Sequence, residues 1–179
     1  MNNDNLSSDS ELRREILNLT ALASEYCIAM EQARDVTVEE FVKEMLDKLP
    51  RIYVGFLNID INDTEEDYDD YLPDYVDEVF YDSVRRKVEM LLGPADLFLE
   101  TFEEDMKYSD TPIAASIAES LADIFQPLYN FISVIKESNG EQSVSAVREC
   151  REKFDEYWSQ TLCNVLRALN HVRLNPQED

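Results

Sequence analysis

The residues best placed to do chemistry in this sequence are carboxylates. Glu100, Glu103 and Glu104 fall within one stretch, and Glu119 and Asp123 follow in the next. Acids paired on two neighbouring helices can supply the oxygen ligands that magnesium prefers, and a magnesium held there would activate water for attack on a phosphate. Other chemistries are poorly supplied. The single histidine, His171, lies near the C-terminus among Asn170, Val172 and Arg173, which offer no partner for a base or a switch. It reads as a satisfied or solvent-facing side chain. The glycines Gly55, Gly93 and Gly140 are far apart, so neither a Walker A loop nor a dinucleotide fingerprint is present. Cys27, Cys150 and Cys163 form no Cys-x-x-Cys pair, and the last two, thirteen residues apart on one expected helix, would sit roughly 20 Å from each other. Neither zinc nor a disulfide is expected, and free thiols suit a reducing, cytoplasmic setting.

The acid pairs look a little like those of the all-α nucleoside triphosphate pyrophosphohydrolases, which hold magnesium between acids on adjacent helices. The spacing departs from that pattern: the second pair there is Glu-x-x-Asp, and three residues separate Glu119 from Asp123. A helical wheel places Ile117, Leu121, Ile124, Leu128, Phe131, Ile132 and Ile135 on one stripe and Glu119, Asp123, Gln126 and Asn130 opposite it. Glu100, Glu103 and Glu104 likewise turn away from Phe98, Phe102 and Met106. A solvated helix face is therefore the expectation, with no cofactor, and magnesium belongs to the enzymatic alternative alone. An EF-hand starting at Asp60 fails because Glu65 stands where the loop needs glycine and Tyr71 where it needs glutamate.

Charge supplies the second candidate. The chain carries 39 acids, 16 bases and a formal charge of −23. Such a field repels nucleic-acid backbones and anionic membranes, so direct binding to either is not expected, and it favours a basic protein. Between Asp60 and Glu78 there are ten acids and no base, interleaved with tyrosines. Tyr68, Asp69, Asp70, Tyr71, Asp74 and Tyr75 read as a strip for docking a basic partner, tyrosines giving rigid contact area and carboxylates pairing with Arg or Lys. The competing reading has the tyrosines pinning an acidic loop to the protein with the acids left in water.

The elements that must position these residues are helices. Ser8-Asp-Ser-Glu11 and Thr37-Val-Glu-Glu40 have the form of capping boxes. Behind the first, Leu12, Ile16, Leu19, Ala23, Tyr26, Cys27 and Met30 recur at helical steps, predicting a helix near 9–33. Behind the second come Phe41, Met45, Leu49, Ile52 and Tyr53, with Pro50 predicting a kink or two abutting helices. An acidic loop covers about 58–76, and a third helix Asp77 to Leu92, ended by Gly93-Pro94. A short fourth helix is expected over about 95–106. A fifth should start at Thr111-Pro112, where Asp110 or Thr111 would cap it or leave an anion site, and run to about Glu137. After Asn139-Gly140 a long sixth helix should reach about Val172, with Phe154, Tyr157 and Trp158 in the core and Arg148, Arg151 and Lys153 on an ion-paired face.

At 179 residues the chain suits one domain with about 70% of its surface buried. The expectation is an all-α bundle of five or six helices over 9–174, with tails at 1–8 and 175–179. The N-terminus has no signal-peptide pattern, and the longest apolar run, Ile52 to Leu57, is too short to span a bilayer.

A family resemblance rests on particular segments. Tyr108-Ser-Asp-Thr-Pro-Ile-Ala-Ala-Ser-Ile-Ala-Glu119, then Leu121-Ala-Asp-Ile-Phe125 and Leu128-Tyr-Asn-Phe131, and later Phe154-Asp-Glu-Tyr-Trp158 and Val165-Leu-Arg-Ala-Leu169, resemble the bacterial domain of unknown function 5063. The similarity covers most of the chain after residue 10. It implies an all-helical fold and carries no established activity to transfer, so it assigns no catalytic residue. Composition and resemblance together favour a non-enzymatic interaction or regulatory module. The alternatives are a metal-dependent phosphohydrolase and an acidic mimic of nucleic acid that occupies a nucleic-acid-processing enzyme.

Overall fold

A computed structural model describes residues 2–61, 71–100 and 113–176, with backbone alone for 2–9. Helix α1 (Asn2–Glu31) sends Leu12, Ile16, Leu19, Ala23, Tyr26, Cys27 and Met30 into the core. It begins upstream of the expected start, so Ser8 lies inside the helix and not at its cap. Helix α2 (Val38–Asn58) starts where its capping box predicts: Glu40 N–H donates to the Thr37 hydroxyl, and the Glu40 carboxylate accepts from the Thr37 N–H. Pro50 does not divide it. The ladder Met45, Leu49, Ile52 and Phe56 stays fully buried across the proline, so packing holds the turn that lacks one N–H donor. Gly55 lets α1 approach closely, since a Cβ there would stand 2.5 Å from Leu19 Cδ2.

Helix α3 (Glu78–Leu92) is capped by the Asp77 carboxylate, which accepts from Phe80 N–H, and ends at Gly93 with φ +52°. The expected fourth helix is not formed over its described residues, 95–100. Gly93–Asp96 makes a 3₁₀ turn, and Leu97–Leu99 is a strand, β1, paired antiparallel with β2 (Ala114–Ser116). Leu97 faces Ser116, Phe98 faces Ala115 and Leu99 faces Ala114. Long-range pairing thus overrides a local helical pattern, as is common for short segments. The strand also displaces the next helix: α4 runs Ile117–Glu137, and its cap is Ser116. Asp110, Thr111 and Pro112 lie outside the described residues.

Asn139 and Gly140, both with positive φ, close α4. The last helical rod is α5 (Ser143–Lys153), a π-helical turn (Phe154–Trp158) and α6 (Ser159–Leu174), run together. The wider turn sets Phe154 and Trp158 against Phe56 at ring separations of 6.0 and 5.2 Å. Trp158 is wholly buried, its indole N–H donating to the Cys150 carbonyl, whereas Tyr157 is partly exposed. Among the described residues the architecture is therefore mostly helical, five rods packed as a bundle with one small hairpin. Among the described residues no helix is long and apolar enough to cross a membrane.

Candidate functional site

Helix α4 lies at the centre of the bundle, touching α1, α3, α5 and α6. Its apolar stripe is largely buried as the wheel predicts: Ile117, Leu121, Ile124, Leu128 and Phe131 are covered, and Ile132 and Ile135 are partly buried. The opposite face is not simply solvated: Asn130 and Asp123 correct that expectation there, and Glu100 corrects it beside β1. Asn130 is buried because the segment 71–77 lies across it: Tyr75 N–H donates to Asn130 Oδ1 at 2.8 Å, and Asn130 Nδ2 donates to Asp74 Oδ1 at 2.8 Å. Asp123 is half-buried against α3 and accepts from the Tyr81 hydroxyl at 2.6 Å. Burial raises the Asp123 pKa, the nearby Glu119 adds to the rise, and the Tyr81 hydrogen bond opposes it. Glu100 is buried at the end of β1, where its N–H donates to the Ile113 carbonyl. Only Glu119, in the exposed first turn of α4, stands as expected.

Glu103 and Glu104 lie outside the described residues. Among those described, no three His, Cys, Asp or Glu side chains are grouped to hold a metal ion. Asp123 faces Tyr81 on α3, while Glu100 continues the strand whose Leu99 carbonyl accepts from Arg167 on α6.

The acidic strip is described from Tyr71 onward; Tyr68, Asp69 and Asp70 fall outside. Its two tyrosines behave differently. Tyr75 packs partly against the core, and Val76 behind it is buried. Tyr71 is 89% exposed. Tyr75 thus pins the segment, and Tyr71 stands free of the bundle. On the near side, α5 secures the end of α2. Arg151 donates to the Phe56 and Leu57 carbonyls at 2.6 and 3.2 Å, and Arg148 to the Ile61 carbonyl at 3.4 Å. The Arg151 guanidinium satisfies carbonyls that the helix end leaves without partners, and Arg148 ties down the chain just beyond it. Arg151 also pairs with Asp155, and Lys153 with Glu149, as the charge pattern of that face suggests.

Cys27 and Cys150 are buried and Cys163 is exposed, all as free thiols. Burial pushes the Cys27 and Cys150 thiols up and away from reactivity. His171 is exposed, with Asn175 Nδ2 3.3 Å from its Nδ1.

A family model described as domain of unknown function (DUF5063) matches residues 10–175. The chain belongs to DUF5063. The crystal structure of protein BF1032 from Bacteroides fragilis is similar to it, with a TM-score of 0.76 and 25% sequence identity over 92% of this chain and 96% of that one. The comparison with curated proteins gave no match. In this DUF5063 chain the candidate surface is therefore built from its own residues: an acidic, tyrosine-bearing segment fixed to α4 through Asn130 and bordered by α5.

Proposed function

We propose that the protein is a non-enzymatic interaction module that docks a basic protein segment on its acidic strip. The observation that carries this reading is the contrast at Tyr71 and Asp74. Tyr71 presents a large aromatic surface to solvent, and Asp74, three residues on, is held by the Asn130 amide on the bundle. An exposed aromatic ring beside carboxylates on an anchored backbone loses little freedom on binding, which favours a partner rich in Arg or Lys. The surrounding charge of −23 would steer such a partner in at long range, and salt would weaken the encounter. Affinity purification from native cells, comparing the full chain with one lacking residues 60–78, tests the reading. Loss of a basic partner on deletion supports it; an unchanged set of partners overturns it.

A further inference from the structure

Residues 71–75 lie across the groove between α4 and α5, without regular secondary structure. Among the described residues, the hydrogen bonds joining this segment to the bundle converge on one side chain, the Asn130 carboxamide, which accepts from Tyr75 N–H and donates to Asp74. Val76, 5% exposed, is rooted in the core and marks where the segment meets the body of the protein. Under it lies a small cleft of about 10 Å³, room for about one water. Leu72 and Pro73 form its cover, Pro127 and Phe131 its α4 wall, and Cys150 and Lys153 its α5 wall. A backbone segment held by two hydrogen bonds and half-buried apolar contacts belongs to the low-stability end of a fold.

We propose that Tyr71–Tyr75 is a strap that swings off the α4–α5 groove as a local unit while the bundle stays folded, with Asn130 as its latch and Val76 as its pivot. The open form bares the apolar walls at Pro127 and Phe131 and the thiol of Cys150, all of which the closed form conceals. The closed form, with Asp74 held by Asn130, is the anchored form that docking would use, and the opening itself needs no partner.

Cys150 reports the opening, and two other thiols serve as controls. Cys163 is exposed, and Cys27 is buried on α1 and does not line the cleft. The full chain is treated with an aryl disulfide under native conditions, and modification of each cysteine is followed by peptide mass. The strap predicts that Cys150 reacts faster than Cys27 and slower than Cys163. Removing one strap hydrogen bond by Asp74→Ala, at an exposed side chain that leaves the core intact, should speed Cys150 about fivefold with Cys27 unchanged. Asn130→Ala, which removes both bonds, should speed it more than Asp74→Ala does. A Cys150 rate that equals that of Cys27 in the native chain, or is unmoved by Asp74→Ala, would overturn the proposal.

Discussion

The carboxylate of Asp96 accepts from the Ala118 backbone N–H at 2.7 Å, and so a residue ahead of the hairpin caps a helix that begins beyond it. The same carboxylate accepts from the Ser116 hydroxyl at 2.7 Å, while Ser116 in turn accepts from Glu119 N–H. Two caps therefore meet the first orphan donors of α4, and Asp96 is 5% exposed. Asp96→Ala should cost about 1–3 kcal/mol, because it leaves the buried Ala118 N–H without its acceptor. Asp96→Asn, which keeps an acceptor oxygen, should cost less. Urea unfolding of the two variants checks the order.

The Arg151 guanidinium closes the C-terminus of α2 from a neighbouring helix, with Asp155 holding it in place. Arg151→Ala should destabilise the protein by about 1–3 kcal/mol, as expected for hydrogen bonds from a charged donor. Arg151→Lys should recover only part of this, since an ammonium lacks the fork that spans two carbonyls. Thermal unfolding of both variants measures the difference.

Asp123 gives a pH dependence of definite sign. Burial raises its native pKa, so the folded protein binds its proton more tightly than the unfolded chain does. The stability from this group is complete below the ordinary aspartate value of about 3.9 and is lost as pH rises through the raised native value. Asp123→Asn keeps an acceptor for the Tyr81 hydroxyl and removes the buried charge. Relative to the native chain, the variant should gain stability as pH rises from about 3.5 to 7. Denaturant melts across that range check it, and a constant difference would contradict the assignment.

The sequence showed most of the bundle because local signals and tertiary packing agree there. Thr37 and Asp77 cap the helices their positions predict, and the apolar ladders of α1, α2 and α4 are the buried ones. Where they disagree, tertiary contacts win. Ala95, Phe98, Leu99 and Phe102 follow a helical spacing, yet Leu97–Leu99 pairs with a strand 17 positions further on, which no local pattern records. The π-helical turn at Phe154–Trp158 leaves the apolar spacing of its rod almost unchanged.

Asn130 was hidden for a different reason. On an isolated wheel it shares a face with Glu119, and only the path of the distant 71–77 segment covers it. Its signal was a lone amide among acids, a poor indicator of burial. Asp123 was misplaced in the same way, by Tyr81 of α3. A wheel ranks the faces of one helix; it cannot say which neighbour will cover the polar one.

The docking account is tested most directly by calorimetric titration with an arginine-rich peptide against two variants of equal charge. One carries Asp69→Asn, Asp70→Asn and Asp74→Asn together with Tyr71→Ala; the other carries Asp35→Asn, Glu39→Gln and Glu89→Gln, exposed residues away from the strip. The account predicts that the strip variant loses about tenfold or more in affinity, a few side chains carrying most of the binding energy, while the distant variant changes little. Equal losses in both would show attraction to net charge alone and contradict a docking strip.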